Sequence, residues 1–181
     1  AFEYPIFVTH EISGTNAAYS VYAADVDGDG DMDVLSAAFS DDKILWYEND
    51  GSGSFTEHAI STSANGARSV YAIDVDGDGD MDVLSASYND DKIAWYENDG
   101  SEGFTEHAIS TSADMARSVH AADVDGDGDM DVLSASANDD KIAWYENDGS
   151  ESFTEHAIST SADYALSVHA VDVDSDGDMD V

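Results

Sequence analysis

The chain has 181 residues, with 41 Asp and Glu against 5 Lys and Arg, so its formal net charge is −36 at pH 7. Five basic residues cannot build the positive surface that nucleic acids or anionic membranes require, and these partners are therefore excluded. Hydrophobic residues make up 42% of the chain and there is one proline, which favours a folded core over disorder. No apolar run reaches the roughly 18–20 residues of a membrane span, so membrane insertion is not expected.

A 49-residue repeat organises the whole chain. Trp46, Trp95 and Trp144 lie 49 positions apart, and aspartates and phenylalanines recur with the same spacing. Self-similarity at a period of this length indicates a solenoid or a propeller. The copies are nearly identical, so the register of one copy on the next is unambiguous.

Within the second copy, the hydrophobic pattern predicts four short strands joined by turns rich in Asp, Asn and Gly. The strands are predicted at Ser69–Val75, Val83–Ser87, Lys92–Glu97 and Phe104–Ser110. Four antiparallel strands per repeat, with no helical periodicity, predict an all-β fold of β-propeller blades, about 3.5 of them in this chain. A β-solenoid is the alternative architecture, but its repeats are usually shorter.

The blades predicted in this way do not complete a ring. The predicted divisions are 7–13 for the outer strand of a closing blade, 20–68, 69–117 and 118–166 for three whole blades, and 167–181 for the inner strand and acidic loop of a partial fourth blade. Bare blade faces are an association hazard. Either the chain is a piece of a longer repeat protein, or copies associate to complete a ring or a filament; a closed four-blade ring is least favoured.

An acidic loop follows the first strand of every repeat, and in the second copy it runs from Asp74 to Asp82 with an acid at each odd position. Carboxylates so close together repel one another unless a cation lies between them. Oxygen ligands at loop positions 1, 3 and 5, a carbonyl at position 7 and a further acid suit a hard cation, and Ca²⁺ fits better than Mg²⁺ or Zn²⁺. An EF-hand would need Glu at position 12, where this loop has Ser85.

The segment DVDGDGDMDVLSAS followed by KIAWYENDG resembles the FG-GAP/VCBS repeat of integrin-α-like β-propellers, and the resemblance covers nearly the whole chain. It implies one Ca²⁺ per loop, up to four, held by side chains at positions 1, 3, 5 and 9 and by the carbonyl at position 7. It also implies a secreted or cell-surface protein used in adhesion, carbohydrate binding or scaffolding. The implied calcium residues are Asp25, Asp27, Asp29, Asp31, Asp33, Asp74, Asp76, Asp78, Asp80, Asp82, Asp123, Asp125, Asp127, Asp129, Asp131, Asp172, Asp174, Asp176, Asp178 and Asp180.

The differences between copies concentrate on the propeller face opposite the acidic loops. Aromatic and arginine side chains at such variable loop positions are candidate recognition groups for a protein or a glycan, although neutral drift among duplicated copies also explains them. The candidate ligand-binding residues are Tyr19, Arg68, Tyr88 and Arg117. The recurring histidines and tryptophans, in contrast, are predicted to be structural, with each tryptophan packed between blades.

No catalytic motif interrupts the repeat, and a chain that is almost pure repeat has little place for a unique catalytic set. The chain is therefore predicted not to be an enzyme. Two functions remain open at this point. One is a calcium-stabilised extracellular scaffold or adhesion module, either self-associating or not. The other is a lectin-like carbohydrate-binding module with sites between blades.

Overall fold

Each 49-residue repeat folds into one four-stranded antiparallel sheet whose strands follow each other in chain order. The computed structural model describes residue 12 and residues 15–181. The strands are β1 Ala18–Ala24, β2 Asp33–Ala38, β3 Lys43–Asn49, β4 Phe55–Ser61, β5 Ala67–Ile73, β6 Asp82–Ser87, β7 Lys92–Asn98, β8 Phe104–Ser110, β9 Ala116–Ala122, β10 Asp131–Ser136, β11 Lys141–Asn147 and β12 Phe153–Ser159. The predicted all-β fold of propeller blades is confirmed.

The register within a blade follows from the hydrophobic pattern. In the second blade Leu84 of β6 lies opposite Tyr71 of β5 and Trp95 of β7, so large side chains stack across the sheet. Every residue of β6 is buried, because blades cover both faces of this strand. The first strand runs over Ala67–Ile73, two residues earlier than predicted, and a register shift between Ala67 and Ser69 accommodates the extra residue.

The blades pack face to face, and the core lies between them. The first of these inter-blade cores joins Leu35 and Trp46 of one blade to Val70, Val83 and Tyr96 of the next. An equivalent cluster joins the second blade to the third. The innermost strands β1, β5 and β9 lie side by side. The sheets are not closed into a ring, as the sequence predicts for an incomplete propeller.

At the C-terminal end of the repeat array, the inner strand is shorter than predicted. Residues 167–181 keep the acidic loop, but their inner strand is reduced to a single bridge between Val171 and Asp180. The outer strand predicted at 7–13 lies outside the described residues except for Ile12. Ile12 packs against Leu45 and Tyr47 of the first blade.

Candidate metal centres

The acidic loops connect the innermost strand of each blade to the second strand. In the second blade the loop curls around the Asp74 carboxylate, which accepts the N–H groups of Gly77 at 2.7 Å and Gly79 at 3.0 Å. Both glycines have positive φ, 77° and 101°, a backbone conformation that glycine adopts without strain. The tight Gly-rich curl therefore turns the acids at positions 1, 3 and 5 of this loop toward one centre.

Carboxylate oxygens converge in all four loops. In each loop one ligand atom from each of three aspartates lies within 4.8 Å of the others. The triads are Asp25, Asp27 and Asp29; Asp74, Asp76 and Asp78; Asp123, Asp125 and Asp127; and Asp172, Asp174 and Asp180. The first three triads combine loop positions 1, 3 and 5, whereas the fourth combines positions 1, 3 and 9.

The electrostatics of the loops are those of a site short of positive charge. Partial burial, with the carboxylates of Asp78 and Asp74 nearby, raises the pKa of Asp76. Burial raises the pKa of the equivalent Asp27 as well. In the first loop Asp25 Oδ1 is buried without a hydrogen-bond partner. An all-oxygen donor set with an orphaned carboxylate oxygen fits a hard cation such as Ca²⁺.

The acids at position 9 are the deepest members of the loops. Asp33, Asp82 and Asp131 are fully buried. Asp82 accepts the N–H of Val75 through Oδ2 at 2.9 Å and the N–H of Asn98 through Oδ1 at 2.8 Å. Burial raises its pKa to about 6 despite these two bonds. Each carboxylate thus fastens the loop to the end of the third strand of its own blade.

In the fourth loop this fastening is incomplete. Asp180 is exposed, and its carboxylate accepts the N–H of Val173 at 3.0 Å. In the described part of the chain, no strand equivalent to β3, β7 or β11 lies beside Asp180 to supply a second N–H donor. The fourth loop therefore has the same five acids as the others, with Ser175 in place of glycine at position 4, but less support around its position 9 acid.

The acids at position 7 point elsewhere. The Asp80 carboxylate lies against Gly100 of the turn after β7, where an added Cβ would be 2.4 Å from Asp80 Oδ2. Gly100 also has a positive φ of 68°. Asp31 and Asp129 stand in the same relation to their own turns. The sequence analysis did not anticipate this contact, although the Asn-Asp-Gly triplet recurs at this place in every complete blade.

The four candidate ligand-binding residues come together on the opposite face, where they stack on one another. The Arg68 guanidinium carbon lies 4.7 Å from the ring centre of Tyr19 and 5.1 Å from that of Tyr88. Arg117 continues the series, at 5.2 Å from Tyr88 and 4.3 Å from Tyr164, whose hydroxyl it also contacts. This cation–π ladder links neighbouring blades. Tyr164 and Phe39, whose ring centre lies 4.9 Å from that of Tyr19, are further members that are not among the four candidates.

The recurring histidines and tryptophans form a second periodic feature. His58 stacks on Trp46 with ring centres 4.6 Å apart, and its Nε2 lies 2.8 Å from Glu48 Oε2. Trp46 is also in edge contact with Phe104 of the next blade, at 6.4 Å between ring centres. The tryptophans therefore pack between blades, as predicted.

Two cavities open between consecutive blades, beside the acidic loops. The larger, of about 270 Å³, lies between Asp76 and Trp95 of the second blade and Asp129, Asn147 and Glu151 of the third. The equivalent cavity between the first and second blades has a volume of about 100 Å³. The buried indole N–H of Trp95 lies near the Asp82 carboxylate but outside hydrogen-bond geometry.

Comparison with known families identifies this architecture. The model of the FG-GAP-like repeat matches residues 25–85, 74–134 and 123–181. The chain belongs to the FG-GAP-like repeat family, which confirms the resemblance seen in the sequence. No curated protein matches the chain.

Among solved structures, the chain is similar to a protein from Lactobacillus plantarum, with a TM-score of 0.53 and 15% sequence identity. The match covers 81% of this chain and 44% of that protein, so the chain spans less than half of its length. At this identity the likeness shows the fold alone. In the described part of the chain, no helix is long and apolar enough to cross a membrane.

Proposed function

We propose that this chain is a non-catalytic, calcium-stabilised β-propeller scaffold of a secreted or cell-surface protein that acts in adhesion. One Ca²⁺ binds in each acidic loop, up to four in the chain. The observation that carries the proposal is the convergence of three carboxylate oxygens within 4.8 Å in all four loops. Side chains at positions 1, 3, 5 and 9 and the carbonyl at position 7 hold the ion.

The choice of calcium rests on the chemistry of the donors. The loops offer carboxylate and carbonyl oxygens and no histidine or cysteine, which disfavours zinc. Many carboxylates on a flexible loop suit the larger and less regular shell of Ca²⁺ better than the strict octahedron of Mg²⁺. Bound calcium supplies positive charge at a centre where the carboxylates otherwise repel one another.

An extracellular location agrees with the same chemistry. Calcium sites of extracellular modules bind with dissociation constants of about 10⁻⁴–10⁻³ M, which suits a calcium-rich exterior. A net charge of −36 also keeps a protein soluble in a salty medium. The absence of any unique set of groups within the near-identical repeats supports a role without catalysis.

Partner binding is assigned to the face opposite the calcium loops, with a protein or a glycan as the ligand. Self-association is the second part of this proposal. Val21 on the first blade and Val173 beyond the third are 68% and 74% exposed, whereas Val70, at the position of Val21 in the second blade, is 4% exposed. Copies that associate into a ring or a filament would cover these residues, and light scattering across a concentration series would detect the larger species.

Calorimetric titration of calcium into chelator-treated protein tests the metal assignment. We expect three sites of similar affinity and a weaker fourth in this chain, because among the described residues the Asp180 carboxylate accepts one backbone N–H and that of Asp82 accepts two. Asp76→Asn should remove one of the three stronger sites, and magnesium should bind more weakly than calcium. Failure to bind calcium at millimolar concentrations would refute the proposed function.

A lectin-like, carbohydrate-binding module is the alternative function. The two inter-blade cavities favour it, because each combines a tryptophan with acidic and polar groups and the larger has a volume of about 270 Å³. A glycan array, probed with and without calcium, separates the two functions. If no glycan is retained at any protein concentration, the alternative is excluded.

A further inference from the structure

The side chain of Asn98 joins the acidic loops of two consecutive blades. Its Nδ2 donates to the carbonyl of Met81, in the loop of its own blade, at 3.0 Å. The same Nδ2 donates to the carbonyl of Val26, in the loop of the preceding blade, at 3.1 Å. Asn98 is 3% exposed, so both bonds are sheltered from water.

The remaining polar atoms of Asn98 are also occupied. Its backbone N–H donates to the position 9 acid Asp82 at 2.8 Å, and its Oδ1 accepts the N–H of Gly100 at 3.2 Å. These bonds fix the amide, so the direction of its Nδ2 is set by the blade to which Asn98 belongs.

The acceptor in the preceding blade is equally well placed. Val26 lies between Asp25 and Asp27, positions 1 and 3 of the first loop. Its N–H donates to Asp33 Oδ2 at 3.0 Å. The residue between two candidate ligands is therefore held on one side by its own blade and on the other by the next blade.

The arrangement is repeated one blade further along. Asn147 donates to the carbonyl of Val75 in the preceding loop at 3.3 Å and to that of Met130 in its own loop at 3.2 Å. At the same position in the first blade, the Nδ2 of Asn49 donates to Met32 at 3.1 Å, and no bond to a preceding loop is found among the described residues.

We propose that Asn98 and Asn147 are positioning residues that couple each calcium loop to the next blade. Calcium binding in one loop then strengthens the contact with the following blade, and loss of that contact weakens calcium binding in the loop before it. The inference rests on the proposed function, because it takes the acidic loops as calcium sites.

Hydrogen exchange read by mass spectrometry tests the coupling loop by loop. The first three loops share one core sequence, but peptides that include the flanking residues differ in mass and can be followed separately. A calcium titration of the whole chain gives a midpoint of protection for each loop. Asn98→Ala should raise the calcium midpoint of the first and second loops by about threefold to tenfold and leave the third unchanged, from the net worth of a hydrogen bond.

The equivalent substitutions in the other two blades should change the calcium midpoints of a different set of loops. Asn147→Ala should affect the second and third loops and spare the first, and Asn49→Ala should affect the first loop alone. Asn98→Ser, whose hydroxyl is too short to reach Val26, serves if the alanine variant folds poorly. General destabilisation would move all loops together and would not produce this staggered pattern.

Two failures are distinguishable. If wild-type loops gain calcium-dependent protection but Asn98→Ala leaves the first loop at the wild-type midpoint, the coupling is refuted and the proposed function stands. If no loop of the wild-type protein responds to calcium, both are refuted.

Discussion

The buried carboxylate of Asp82 is expected to stabilise the second blade even without metal. Asn has nearly the same shape as Asp, so Asp82→Asn changes the hydrogen bonding with little change in packing. The wild-type carboxylate accepts two backbone N–H groups, from Val75 at 2.9 Å and from Asn98 at 2.8 Å. An amide has one oxygen and one NH₂ group, so one of these N–H groups would face a donor.

The size of the effect follows from three contributions. A hydrogen bond to a charged group contributes about 1.5–3 kcal/mol, and a buried donor left unsatisfied costs about 1–3 kcal/mol. Removal of the buried charge offsets part of this loss in the free energy of unfolding, because the charge is unfavourable where burial raises the pKa of Asp82 to about 6. The expected net loss is roughly 2–4 kcal/mol, or roughly 4–16 °C in Tm for a chain of this size.

Urea and thermal unfolding in the presence of a chelator measure this loss without any contribution from calcium. Asp180→Asn is the matched control, because Asp180 is exposed and its carboxylate accepts the N–H of Val173 alone among the described residues. This substitution should change the free energy of unfolding by less than about 0.5 kcal/mol. Equal effects of the two substitutions, or an Asp82→Asn protein as stable as wild type, would show that the buried carboxylate is not a fastening point.

Three further results are expected. Calcium at about 10 mM should stabilise three sites with dissociation constants of about 0.1–1 mM by about 1.4–2.7 kcal/mol each, so chelation should lower Tm by roughly 8–30 °C; an unchanged Tm would contradict calcium binding. Burial and the neighbouring His169 lower the pKa of His120 below 6.5, so its contribution to stability is present above pH 6.5 and is lost as the pH falls through the folded-state value. Tyr71 occupies the position of His120 in the second blade, so His120→Tyr introduces a side chain that the fold already accepts there. With calcium present, this variant should therefore lose less stability on acidification than wild type, and identical pH profiles would refute this. Val70→Ala should cost roughly 2 kcal/mol in urea unfolding and Val21→Ala less than about 0.5 kcal/mol, because these equivalent valines are 4% and 68% exposed; similar losses would mean that blade packing does not bury Val70.

Much of the blade could be read from the local pattern. The strand predicted at Phe104–Ser110 has those bounds in the structure, because its ends are marked by a Gly-rich turn and by the segment between blades. The prediction missed the first two residues of β5, because Ala67 and Arg68 lie at a bulge, where the alternation of side chains is interrupted.

The candidate metal centres, too, were predictable in part from the sequence and in part only from the structure. Their acids are visible in the sequence because they alternate within nine residues of one loop. The separate place of Asp80 against Gly100 is not visible, because it depends on how the loop meets a turn from another part of the blade. The stacking of Tyr19 on Arg68 is equally hidden, because the two side chains come from different blades.

The sequence by itself determined the repeat, the number of strands in a blade and the chemistry of the acidic loops, because each depends on residues close together in the chain. Only the tertiary structure decided which carboxylates converge, which valines are covered and which groups connect the blades. Asn98 and the Val26 carbonyl that it holds are 72 positions apart, and no local pattern encodes that distance. The contact arises because successive blades pack together, so that the end of the third strand of one blade lies beside the acidic loop of the preceding blade. A buried carbonyl in that loop requires a hydrogen-bond donor.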